Sequence, residues 1–100
     1  MKPAKSCRKG IREIRGRIRT KNYEVTGHAE EEREDDDLSV ADLQSAILTG
    51  RTMQILTNDP RGNRYVVRGK ALDGRGVEVV CRFLASGKLR ILTVYALEEE

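Results

Sequence analysis

One histidine, a set of arginines and one tyrosine are the residues of this 100-residue chain that could do chemistry together. His28 stands far upstream, while Arg64, Arg68, Arg82 and Tyr95 fall in the last third, in strand-like runs. Cleaving RNA without a metal needs a base for the 2′-hydroxyl proton, a cation for the charge on the phosphate and an acid for the leaving oxygen. Each acid or base contributes about 10² to 10⁴-fold. A histidine, with an ordinary pKa of about 6.5, suits either proton role. A guanidinium matches phosphate oxygens bidentately, and a tyrosine can donate a proton or stack on a base. His28, Arg64 and Tyr95 are therefore the catalytic candidates, and Arg12, Arg15, Arg19, Arg61, Arg68 and Arg82 the candidates for holding nucleic acid. The same residues also suit plain structural work. A histidine can be hydrogen-bonded at a helix start, arginines can form a solvated sheet face or pair with an acidic helix, and a tyrosine can lie on a sheet face.

Charge is strongly segregated. Residues 1–21 carry nine Lys/Arg against Glu13, a net of +8; residues 28–42 carry eight acids against Arg33, a net of −7. From Arg51 to Leu97 nine basic residues face Asp59, Asp73 and Glu78, a net of +6, so two basic surfaces should flank an acidic one. Aromatic content is 4% with no tryptophan, which leaves little for a base-stacking platform and makes charge the main means of contact. Cys7 and Cys81 show no CxxC or Cys/His spacing, so neither a structural zinc nor a disulfide framework is expected. The acidic run Glu30 to Asp37 lacks the EF-hand pattern and reads as a solvated helix face. Asp73-Gly-Arg-Gly76 lacks a phosphate-loop frame and reads as a hairpin turn. No metal and no cofactor are expected. The basic N-terminus has no apolar signal region and no window reaches membrane-spanning length, so the expected location is the cytoplasm, with no membrane partner.

The elements that must position these residues follow from periodicity. Ile11, Ile14 and Ile18 recur on one helical face, which predicts a basic amphipathic helix from about Ser6 to Arg19, weakened at Gly10 and Gly16 by about 1 kcal/mol each. Asn22 to Thr26 reads as a short strand or an extended link, and His28 to Asp36 as a short helix. Ser39-Val-Ala-Asp42 is a capping box with Asp in place of Glu, opening a helix that Gly50 stops. Thr52 to Leu56 is a strand; Arg64 to Leu72, Val77 to Leu84 and Leu89 to Leu97 form an antiparallel meander. Strand alternation sets Tyr65 and Val67 against Arg64, Val66, Arg68 and Lys70, and Val77, Val79, Cys81 and Phe83 against Glu78, Val80, Arg82 and Leu84. In the last strand the same alternation sets Leu89, Ile91 and Tyr95 on one side and Leu92, Val94 and Ala96 on the other. Both sides are apolar, which predicts a central position. The expected fold is α+β: two or three N-terminal helices packed on an antiparallel sheet of about four strands, in a single domain spanning residues 1–100.

Tyr23-Glu-Val-Thr-Gly-His28-Ala29, then Leu38-Ser39-Val-Ala-Asp42-Leu43, then Asp59-Pro-Arg-Gly-Asn-Arg64-Tyr65, and finally Leu92-Thr-Val-Tyr95 together resemble the DUF4258 domain-of-unknown-function family over residues of about 10 to 97. That family in turn looks like a relative of the RelE-like and motility quorum-sensing regulator-type mRNA interferase toxins. The resemblance implies the RelE-like toxin fold, RNA as substrate, and pairing with a small antitoxin, commonly one with a zinc finger. It also places His28, Arg64 and Tyr95 on the family's recurrent polar positions. Family members tend to carry arginines four and eight residues after the histidine, where this chain has Glu32 and Asp36. Two functions follow: a toxin-like, metal-independent endoribonuclease, or a catalytically inactive RelE-like module that pairs with a small protein partner.

Overall fold

Three helices and five strands follow one another in the computed structural model, which describes residues 3–98, with side chains from residue 10 onward. The side chains of Cys7, Lys2, Lys5, Arg8 and Lys9, and Glu99 and Glu100, lie outside what is described. Helix α1 (Pro3–Arg19) buries Ile11, Ile14 and Ile18 in the core, as their spacing requires. Gly10 is the point where this helix meets the sheet, since a Cβ there would stand 2.9 Å from the Tyr65 ring. Strand β1 (Tyr23–Val25) leads into α2 (Gly27–Asp35), whose first turn is capped by the Thr26 hydroxyl accepting from the Ala29 N–H at 3.1 Å.

Helix α3 (Val40–Thr49) opens on the expected capping box. The Ser39 hydroxyl accepts from Asp42 N–H, and the Asp42 carboxylate accepts from Ser39 N–H. The second Asp42 oxygen accepts from Leu72 N–H at 2.9 Å, so one side chain ties the helix start to the turn after β3. These bonds, led by the one from the Ser39 backbone, hold the Asp42 carboxyl below its ordinary pKa. At the other end α3 lies directly on the backbone of the sheet. A Cβ at Gly69 would sit 1.8 Å from the Ala46 carbonyl oxygen, so only glycine admits the approach.

The strands β2 (Arg51–Leu56), β3 (Arg64–Lys70), β4 (Gly76–Phe83) and β5 (Leu89–Ala96) pair antiparallel in turn. β1 joins β5 in parallel, so the sheet order is β1-β5-β4-β3-β2. The sheet is thus five-stranded and mixed, where an antiparallel sheet of about four strands was expected. Alternation marks Asn22 to Thr26 as a short strand or an extended link but says nothing of its partner, and Leu89 lies far along the chain. β5 is an interior strand, between β1 and β4. A bulge corrects its predicted faces: Val80 pairs with Thr93 but Cys81 with Ile91, leaving Leu92 as the extra residue. Beyond it the alternation reverses, so Val94 and Ala96 join Leu89 and Ile91 on the core side and Tyr95 turns away.

The core lies between the helices and one sheet face, where Ile14, Ile47, Val67, Val79 and Ile91 have no solvent exposure. Each such side chain contributes about 1.5 to 3 kcal/mol on burial. Cys81 is among them, and burial pushes its thiol up to about 12, which makes it an inert packing group. Among the described residues, no helix is long and apolar enough to cross a membrane.

Candidate nucleic-acid interface

No described helix covers the other face of the sheet, and the register sorts its side chains into rows across the strands. At one end, Leu56 pairs with Arg64 and Arg82 pairs with Arg90, which in turn lies beside Glu24. Continuing the register of Tyr65 with Cys81 by one residue sets Arg64 next to Arg82. Three arginines therefore stand side by side on β3, β4 and β5, each about 5 Å from its neighbour at the Cβ atoms. Two residues further along, Gln54, Val66, Val80 and Thr93 make a largely apolar row. Two residues beyond that, Arg51, Arg68, Glu78 and Tyr95 make a third.

Like charges directly opposite one another destabilise a sheet, so the arginine row needs anions. Its flanks have them: Arg90 Nε donates to Glu24 at 2.6 Å, and Arg64 Nε stands 3.7 Å from Asp59. Arg82, in the middle, has no carboxylate partner among the described residues although it is only 6% exposed. Arg64 Nε is buried without a hydrogen bond. The guanidinium nitrogens of Arg82 are not among the buried atoms left without a partner, and a row of three such groups with carboxylates only at its flanks is a place where an anion would be stabilised.

The third row is a hydrogen-bonded chain. Arg68 Nε donates to one Glu78 oxygen at 2.8 Å, and the Tyr95 hydroxyl donates to the other. Burial pushes the Glu78 carboxyl up, but the bonds from Tyr95 and Arg68 outweigh it and leave it below its ordinary range. The same bond to Glu78 raises the Tyr95 hydroxyl, aided by burial and by the negative charges of Glu78 and Glu32, so the tyrosine stays protonated at neutral pH. Tyr95 and Arg64 share the face without sharing a site. They are two strands and four residues apart in register, about 13 Å along the strands. The cation beside Tyr95 is Arg68.

His28 sits at the start of α2, 67% exposed, with Nε2 3.2 Å from Glu32. The other Glu32 oxygen accepts from Val94 N–H at 3.1 Å, and Asp36 accepts from Ala96 N–H at 2.8 Å. His28, Glu32 and Asp36, spaced at i, i+4 and i+8, thus run as one stripe along the edge of β5 that β1 leaves unpaired. This gives the acidic departures a physical role: only acceptors can satisfy those strand amides, and arginine has none. By the spacing of the stripe His28 falls near Leu92 at the edge of β5, and no described contact joins it to Tyr95 or to Arg64.

The remaining candidates lie elsewhere. Arg12 and Arg19 are exposed on α1, in the layer on the opposite side of the sheet from the arginine row. Arg15 reaches round to donate to the Gly50 carbonyl at 2.6 Å. Arg61 binds back to Asp59 within its turn, which holds the Asp59 carboxyl below its ordinary range. Sequence reasoning missed Arg90, Glu78 and Arg51. Strand alternation alone signals the first two, whereas the Arg51 and Arg68 pairing depends on the register of β2, which is shifted by an irregularity between Thr52 and Gln54. Among the described residues, no group of three or more His, Cys, Asp or Glu is placed to hold a metal ion.

No curated protein and no solved structure matches the chain. The sequence model of the domain-of-unknown-function family DUF4258 matches residues 25–96, from the end of β1 through β5. That span holds every residue of the three rows except Glu24 and leaves out α1. With most of its length matched, the chain belongs to the DUF4258 family.

Proposed function

We propose that this protein is a toxin-like endoribonuclease, an mRNA interferase of a toxin-antitoxin pair related to the RelE-like toxins, which holds single-stranded RNA across the open face of its sheet and cuts it without a metal. The observation that carries the reading is the Arg64, Arg82 and Arg90 row with its unpaired central guanidinium. A phosphate there accepts from Arg82, which has no carboxylate beside it, and from the unpaired Nε of Arg64. In the third row Arg68 clamps the phosphate to be cut, and the protonated Tyr95 hydroxyl donates to the leaving oxygen. His28, oriented by Glu32, takes the proton of the 2′-hydroxyl. Arg64 acts as an anchor, two rows away from the chemistry. The expected partner is a small antitoxin, of the zinc-finger type that the family resemblance implies.

One observation favours the second reading, a catalytically inactive module that pairs with a small protein: Glu32 and Asp36 are spent on sealing β5, at the two positions where the family resemblance leads one to expect arginines. Incubating the purified protein with single-stranded RNA in excess chelator separates the two. Cleavage that drops by about 10² or more in His28→Ala and in Tyr95→Phe is expected for the enzyme. Binding of RNA with no cleavage would leave the inactive module as the account.

A further inference from the structure

Beyond the third row, where β2 begins, the open face runs into a groove of about 660 Å³ that wraps the end of the sheet. Arg15, Arg51, Arg68 and Lys70 line it with no acidic residue among its walls, and Met53 and Leu97 add apolar surface. Arg15 Nη2 is held by the Gly50 carbonyl while its Nε is buried without a partner. Arg51 stands directly opposite Arg68 across the β2 and β3 pairing. The one carboxylate nearby, Glu78, is already committed to Arg68 and Tyr95. Three cations without a carboxylate partner among the described residues, Arg15, Arg51 and Lys70, stand with Arg68 around one groove and repeat the demand that the arginine row makes, at a second place.

We infer that this groove is a second phosphate subsite, which takes the continuation of the RNA strand that crosses the open face. The inference rests on the RNA reading above and names the substrate it requires. Arg51 and Arg68 belong to both the third row and the groove, so one polyanion can run from one to the other without leaving positive surface. Along β3, Arg68 is about 13 Å and Lys70 about 20 Å from Arg64. A single phosphodiester cannot bridge those distances, whereas an oligonucleotide of several residues can. Met53, half exposed, and Leu97 offer a base the apolar contact that the aromatic-poor open face lacks. The substrate is therefore an oligomer, and a dinucleotide fills only one subsite.

Titrating the full chain with a dinucleotide and with a hexanucleotide at low salt tests this. The hexanucleotide should bind at least about tenfold more tightly, with a steeper salt dependence, by about 0.7 in slope for each added phosphate contact. Lys70→Ser combined with Met53→Ser, both at exposed groove positions outside the three rows, should remove that advantage and leave dinucleotide affinity unchanged. Lys70→Gln, which keeps the stem, should remove part of it, and far-UV circular dichroism checks that the variants remain folded. If the double variant binds the hexanucleotide as the parent does, while Arg82→Gln weakens both ligands, the groove is not a subsite and the open-face reading stands. If the double variant loses the hexanucleotide and Arg82→Gln loses nothing, the groove holds and the arginine row is misassigned. A parent protein that binds neither oligonucleotide overturns both.

Discussion

Arg82 carries the sharpest tension in the molecule, because burying a charge without a partner opposes folding while binding an anion needs it. Arg82→Met should keep the aliphatic stem, remove the charge and relieve the repulsion from Arg64 and Arg90. Thermal or denaturant unfolding should show a gain of about 1 kcal/mol or more, while RNA affinity falls. A variant that loses stability would mean that Arg82 is held by a contact within the protein. The neighbouring Glu78 predicts a pH effect. Its carboxyl is depressed from an ordinary value of 4.5, so the stabilisation it provides is complete above that value and is lost as pH falls through the lowered one. Unfolding free energy should therefore decline between about pH 5 and about pH 3, and less steeply in Glu78→Gln.

The edge of a strand is a row of unpaired amides, and α2 deals with one such edge by side chains. Its stripe of Glu32 and Asp36 faces Val94 and Ala96 only because an i, i+4 step along a helix, about 6 Å, nearly matches two residues of strand. Glu32→Ala and Asp36→Ala should each cost about 1 kcal/mol, and amide exchange should accelerate first at Val94 and Ala96 respectively. Glu32→Arg, which reproduces the residue that the resemblance leads one to expect, should be at least as destabilising, since it supplies no acceptor. Equal exchange rates in variant and parent would show that these amides find their protection elsewhere. The stripe also explains why the most acidic segment is not merely a solvated face. Two of its carboxylates are built into the sheet, while Glu31, Glu34, Asp35 and Asp37 remain exposed.

At the scale of the molecule, the sheet stands between Arg12 and Arg19 and the arginine row. Exposed Arg12 and Arg19 lie in the helix layer, and the arginine row lies on the far side of the sheet. RNA bound to the open face should feel α1 only through the general field of the protein. Arg12→Glu with Arg19→Glu should leave the slope of log affinity against log salt nearly unchanged. Arg82→Gln should lower it by about 0.7, the share of one phosphate contact to a single strand. Comparable slope changes from both variants would mean that RNA wraps round the molecule.

The sequence alone determined what depends on neighbours a few residues apart: the isoleucine face of α1, the Ser39 and Asp42 capping box, the hairpin turns of the meander, and the alternation that turns Arg64, Arg68 and Arg82 away from the core. Tertiary structure decided what depends on register between distant segments. The bulge at Leu92 sends Tyr95 outward, β1 finds its parallel place on β5, α2 docks its carboxylates on the β5 edge, and Arg64, Arg82 and Arg90 come into line. Local periodicity specifies which face a residue takes, because backbone geometry repeats within a turn or a strand pair. Which residues from different strands stand side by side is set by how the strands slide against one another, and that is fixed only when the whole core packs.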